Sequence, residues 1–242
     1  MRGFPWFPLW LVWVAMLTGS CCSELKSQPR FSILGDSYST FGGYVTPSTN
    51  LCWYNGTDGG NGPQQNDVRR VEDTWWFLLA QKYGLRLDTN NSYSGSTVCH
   101  TGYEGVDYSD RSFVTRLDEL GRPDILLVFG GTNDSWAGVP IGEYRYDAWS
   151  RQDLYAFRPA FSYLLHHLKE RYPQTRILVV TNTELSEAVT ASMDSISRHY
   201  GIDNVRLHDI DKQAGHPSVA GMKAICEQVG DRLNRIDFDK NR

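Results

Sequence analysis

Positive charge is in short supply: 24 Lys and Arg against 28 Asp and Glu leave a formal charge of −4 and a pI near 5.9. That balance removes the electrostatic footprint a nucleic-acid partner would need. Cysteine is scarce too. Beyond Cys21 and Cys22 only Cys52, Cys99 and Cys226 remain, at spacings that match no zinc pattern, and neither a metal nor another cofactor is expected. Cys52 and Cys99 could pair in an oxidising compartment, or stay buried and inert. Internal repeats and low-complexity tracts are absent, and no broad apolar segment suggests a site for a long-chain lipid. The rest is ordinary for a globular domain: 40% apolar and 21% charged residues, in a chain of 242 that suits one domain with a substantial core. The aromatic content is less ordinary, with eight Trp and thirteen Tyr, several in stretches that read as loops.

The N-terminus stands apart from the fold. Arg2 gives a short positive start, and Phe4 to Leu17 is almost wholly apolar but too short for a comfortable transmembrane helix. Thr18-Gly19-Ser20 supplies the small residues a signal peptidase requires before Cys21. The pattern resembles a bacterial lipoprotein signal, with Thr18 where such signals usually carry Leu. It implies a signal peptide over residues 1–20, an exported, cell-envelope protein, and a lipid anchor at Cys21 as the sole membrane attachment. Cys22 is a second possible acceptor, and a plain secretory signal is the alternative. Loss of residues 1–20 removes Arg2 and no acid, taking the charge to −4 − 1 = −5. A polar linker, 21–30, then leads into a single domain over 31–238.

Apolar runs and helical spacing alternate through that domain. Phe31 to Leu34 reads as a buried strand running into a turn, and Leu85 to Ser92 as a second strand. Ile125-Leu126-Leu127-Val128-Phe129, closed by Gly130-Gly131, is the clearest buried strand. Arg176 to Val180 and Val205 to Leu207 follow. Helical patterns fill Asp73 to Gly84, Arg151 to Arg171, roughly Glu184 to Tyr200, and the segment opened by Ser218. Residues 40–68, rich in Gly, Asn, Pro and Gln, form a long loop of the kind that is usually functional or disordered. Five strands mostly separated by helices predict a three-layer αβα sandwich around a parallel sheet.

In such sheets ligands bind beyond the carboxyl ends of the strands. Four blocks of reactive or turn-forming residues fall there: Gly35-Asp36-Ser37 after the first strand, Tyr93-Ser94-Gly95-Ser96 after the second, Gly131-Thr132-Asn133-Asp134 after the third, and Gly215-His216-Pro217 before the last helix. In order and spacing these blocks resemble the SGNH (GDSL-type) hydrolases, named for a Ser, a Gly, an Asn and a His at these strand ends. The resemblance covers nearly the whole chain after the signal segment. It implies a flavodoxin-like SGNH fold and a serine esterase, with Ser37 as nucleophile and His216 as base. The oxyanion hole it implies is made of the Ser37 and Gly95 backbone N–H groups and the Asn133 side-chain amide.

The chemistry needs these residue types. A serine hydroxyl is a poor nucleophile until a base accepts its proton, and an unperturbed histidine, with pKa near 6.5, can do so at neutral pH. Charge developing on the ester oxygen needs preorganised donors. The family's acid, three residues before the His, is here replaced by Gln213; the nearest acids are Asp211 and Asp209. Asp211 is the provisional third member and is expected to orient His216 only partly. A Ser37–His216 dyad with a backbone carbonyl as orienting group is the alternative. Of the other histidines, His166, His167 and His199 sit in helical stretches, whereas His100 lies near the Gly95 block and could line the cleft.

Trp53, Tyr54, Trp136, Tyr144, Tyr146 and Trp149 flank the blocks in sequence. Flat rings suit stacking on sugars as well as packing against acyl chains. Trp136, three residues after Asn133, is the ring most expected near substrate, followed by Trp53 and Tyr54. These features point to a short acyl ester, such as an acetyl group, carried on a small molecule or oligosaccharide. A lipase, lysophospholipase or thioesterase on the same machinery is one alternative. An inactive glycan-binding lipoprotein is another.

Overall fold

The computed structural model describes residues 28–55 and 66–240, together with Met1 and Gly3; the predicted signal segment, Cys21 and Cys22 lie outside the described residues. Its frame is a five-stranded parallel sheet in the order β2-β1-β3-β4-β5. The strands are β1 Arg30–Gly35, β2 Arg86–Ser92, β3 Ile125–Phe129, β4 Arg176–Thr181 and β5 Asp203–Arg206, each within a residue or two of the segment its apolar run marks.

The sheet is covered on both faces, giving the three-layer αβα sandwich the sequence predicts. Leu126 and Val128 of β3 join a core with α4 (Phe157–Arg171) and α5 (Glu187–Tyr200). Leu127 and Phe129, pointing the other way, pack with α1 (Trp75–Tyr83) and α6 (Val219–Lys240). Successive side chains of a strand alternate faces, so a strand buried twice must be apolar throughout. Two short helices, α2 (Phe113–Arg116) and α3 (Thr132–Ala137), complete the rim. Among the described residues no helix is long and apolar enough to cross a membrane.

Two segments depart from expectation. The helix expected over 151–171 is broken into a 3-10 turn, Gln152–Tyr155, and α4, with Ala156 extended between them (φ −119°, ψ 145°). Pro159 explains the break. In a continuous helix its ring would meet the carbonyl four residues back and remove an interior bond; in the first turn of α4 its missing N–H loses nothing. The second departure is a small antiparallel hairpin, β6 (Lys212–Gln213) and β7 (His216–Pro217), where only a loop is expected. Its two-residue turn, Ala214-Gly215, has φ of 50° and 76°, the left-handed pair that matches strand twist. Glycine takes that conformation freely, while alanine gives up about 1 kcal/mol. Cys52 and Cys99 remain separate thiols.

Because β2 lies on one side of β1 and β3 on the other, the strand order reverses at β1. In open parallel sheets such a reversal is where ligands bind, which here is beyond Gly35 and Phe129.

Candidate active site

Ser37 is the second residue beyond β1 and opens a 3-10 turn, Ser37–Ser39. Asp36 caps that turn, its carboxylate accepting the Tyr38 N–H at 3.0 Å. The Ser37 hydroxyl lies 2.9 Å from His216 Nε2, although the two residues are 179 positions apart. On the other side of the ring, Nδ1 lies 3.2 Å from the Ala214 carbonyl oxygen. A carbonyl can only accept, so this contact assigns the proton to Nδ1 and leaves the Nε2 lone pair facing Ser37. Burial pushes the His216 pKa down to about 4; the Ala214 bond opposes that shift and nearby Lys212 adds to it. A neutral imidazole beside a serine hydroxyl can take its proton.

Asn133, in the first turn of α3, is also buried. Its Nδ2 donates to the Ser96 carbonyl at 3.0 Å, and its Oδ1 accepts the Tyr103 hydroxyl at 2.8 Å. With the amide oxygen so committed, the orientation of the group is set, and its second N–H is available to a ligand. Gly95 has φ +81°, a conformation that only glycine holds without strain. Asp134, next along α3, accepts the Val98 N–H at 2.8 Å and the Cys99 N–H at 3.2 Å. It thereby ties the chain beyond Gly95 to the end of β3, and burial raises its carboxyl to about 6.

Arg116, from α2, is 5% exposed and runs beneath these blocks. It donates to the Gly35 carbonyl at 3.2 Å, to Ser96 Oγ at 2.9 Å, to Asn91 Oδ1 at 3.1 Å and to the Asn91 carbonyl. Desolvation lowers its pKa to about 9 and raises that of Asp36 to about 7. Nothing in the sequence marks Arg116, a charged residue among others in an irregular stretch. Tyr103 is equally unmarked.

The provisional third member, Asp211, is not brought to His216. Its carboxylate accepts the Ser218 hydroxyl, which in turn accepts the Gly221 N–H at 3.1 Å as the cap of α6. Gln213 Oε1 accepts the Asp67 N–H at 2.8 Å, and Asp209 bonds His208. The hairpin is held instead mostly by neutral groups, beside one ion pair from Lys212 to Glu184 at 2.9 Å. Tyr38 donates its hydroxyl to the Gly215 carbonyl at 2.7 Å, and Tyr54 donates to the Pro217 carbonyl at 2.9 Å. The Asn66 amide reaches the carbonyls of Gln213, His216 and Pro217 at 3.1 to 3.4 Å.

The aromatic residues divide into two groups. Trp53 lies flat on His216, with centroids 3.5 Å apart and planes within 6°. Tyr38, Trp136 and Tyr54 meet the same imidazole at 5.2, 6.0 and 6.3 Å. Of these only Trp136, 44% exposed, is among the large apolar side chains open to solvent. Tyr146 stacks instead on His199, and Trp149 packs on Tyr163 and His166, over the α4–α5 layer. His100 turns inward, its Nδ1 2.9 Å from Ser112 Oγ.

This chain belongs to the GDSL-like lipase/acylhydrolase family, whose model matches residues 29–233, and it is an ester hydrolase. A Bacteroides uniformis protein named as a GDSL-like lipase is 63% identical, with a TM-score of 0.84 over 87% of this chain and 97% of its own. A Bacteroides ovatus protein of the same description is 50% identical, with a TM-score of 0.83 over 87% of this chain and 100% of its own. A family two carbohydrate esterase from Clostridium thermocellum, in complex with cellohexaose, shares 12% identity. Its TM-score is 0.56, over 86% of this chain and 65% of its own, a likeness of fold alone. No functionally curated protein matches the chain.

Proposed function

We propose that this esterase works through a Ser37–His216 dyad and removes short acyl groups, such as acetyl, from carbohydrate. Ser37 Oγ bonds to the ester carbonyl carbon as its proton passes to His216 Nε2. The carbonyl π pair moves onto oxygen, where the N–H groups of Ser37, Gly95 and Asn133 Nδ2 receive the charge. Collapse breaks the ester C–O bond, and the departing alkoxide takes the proton from His216. Water then repeats the cycle on the acyl-enzyme and releases the acid.

The observation that carries this reading is the 2.9 Å approach of Ser37 Oγ to a neutral, buried imidazole. It also argues against an inactive binding protein, which has no need of that pairing. The sugar part rests on Trp136, whose exposed ring at the edge of His216 suits stacking on a pyranose. A lipase or thioesterase reading draws support from the exposed apolar side chains Leu51 and Val106. Leu51 bonds Ser94 beside Gly95, and Val106 closes the turn that carries Tyr103. Export, with a lipid anchor on Cys21, completes the proposal and rests on the N-terminal sequence. The deciding experiment compares short-chain aryl esters, acetylated oligosaccharides and longer acyl esters, with Ser37→Ala as control. Turnover of acetylated oligosaccharides with the highest kcat/KM is expected; a preference for long acyl chains would favour the lipase reading.

A further inference from the structure

The base of a serine hydrolase becomes a cation each time it accepts the serine proton, and a carboxylate commonly stabilises that cation. Here Asp211 is occupied in the cap of α6, and among the described residues the Nδ1 side of His216 meets the neutral Ala214 carbonyl. Among the described residues the charged group whose field reaches the ring is Lys212, whose sign opposes the imidazolium and which is itself paired with Glu184 at 2.9 Å. The phenols of Tyr38 and Tyr54, both held above their ordinary pKa by burial, stay neutral. What covers the ring is the Trp53 indole, face on, at 3.5 Å.

That stack is poorly suited to two neutral rings, which prefer offset or edge-on contact because their negative faces repel. It suits a cation over a π face, and Trp is the strongest such partner. The indole is also held in register with the nucleophile. Thr40 Oγ1 donates to the Ser37 carbonyl at 2.9 Å and accepts the Trp53 N–H at 2.9 Å. The segment that places Trp53 is therefore bonded to the turn that places Ser37. The Trp53 Nε1 is buried and has no hydrogen-bond partner among the described residues.

We infer that Trp53 is a positioning residue whose indole face stabilises protonated His216 during turnover, in the role a carboxylate commonly fills. It gives and takes no proton. The proton moves from Ser37 Oγ to Nε2 and on to the leaving alkoxide, while Nδ1–H stays on Ala214. This rests on the dyad proposed above. It also reassigns Trp53, expected near substrate by sequence, because one of its faces is already filled by the base.

The test replaces Trp53 in the full chain with mono-, di- and tetrafluorotryptophan by site-specific incorporation. Fluorine withdraws density from the ring face while leaving its shape nearly unchanged, and equal Tm values check that the fold is kept. With para-nitrophenyl acetate as probe, kcat should fall at each step, by about 3- to 30-fold over the series, with KM constant. The acid limb of kcat/KM should move to lower pH along the series. A flat kcat, or a rise in KM with kcat fixed, overturns the inference. Ser37→Ala, run alongside, separates the two levels. If it is inactive while the series is flat, the dyad stands and Trp53 has no such role. If it retains turnover, the dyad and this inference fall together.

Discussion

Ser37 and His216 meet at 2.9 Å, yet their surroundings are built from different materials. On the nucleophile's side the chain is held by buried ionisable groups: Asp36 on its own turn, Asp134 on the Val98–Cys99 amides, and Arg116 across Gly35, Asn91 and Ser96. On the base's side the hairpin is held by tyrosine hydroxyls, one asparagine amide and aromatic faces, with a single ion pair, Lys212 to Glu184. Buried charges bonded to several main-chain groups fix geometry firmly, since leaving any of those groups unpaired is costly. Near the imidazole the same device would change the chemistry. An adjacent anion would raise the His216 pKa toward or above its ordinary value, whereas here burial, with a smaller contribution from Lys212, keeps it at about 4.

The largest effect that tests this contrast is on Ser37 itself. Ser37→Ala should lower kcat by about 10⁴-fold or more with unchanged circular dichroism; substantial residual turnover would show the nucleophile misassigned. Next comes the buried cation. Arg116→Met should cost about 3 kcal/mol or more in urea unfolding, because several buried acceptors lose a charged donor at once. Tyr54→Phe, which removes one neutral bond from the hairpin, should cost only about 1 kcal/mol. Equal losses would erase the distinction between the two sides.

The pH profile sharpens it further. His216 is active as the free base, and its pKa is lowered, so the activity that depends on its protonation is lost as pH falls through about 4. The acid limb of kcat/KM should therefore lie well below the ordinary value near 6.5. A limb between about 6 and 7 that survives in both Asp36→Asn and Asp134→Asn, whose carboxyls burial raises to about 7 and about 6, would mean an anion reaches the ring in solution. The smallest expected effect is that of Asp211→Asn. With the carboxylate committed to Ser218, kcat/KM should change by less than about 3-fold, against the roughly 10⁴-fold of a full triad. Stability should drop by about 1 kcal/mol as the cap of α6 weakens.

The sequence made some of this legible and hid the rest for identifiable reasons. The run from Ile125 to Phe129 announces a doubly buried strand, and the reactive blocks follow strand ends because the architecture puts the crevice there. The hairpin is invisible to periodicity. Its strands are two residues each, and its turn carries alanine where asparagine or glycine would have signalled it. Arg116 escapes because nothing in a one-dimensional pattern separates a buried guanidinium from a solvated one. Asp211 misleads by proximity. Two positions from Gln213 in sequence, its carboxylate has a nearer partner in Ser218.

The Ala214 carbonyl that faces His216 belongs to the main chain, and no change of side chain can delete it. A lineage that orients its base in this way is released from keeping an acid at any one codon. Positions 211 and 213 can drift as far as helix capping and loop contacts allow without touching proton transfer. The constraint moves instead to position 215, where φ of 76° leaves glycine as the residue free of strain. In a comparison of related chains, the mark of this arrangement would be a fixed glycine before the histidine beside variable residues where a catalytic aspartate would otherwise be sought.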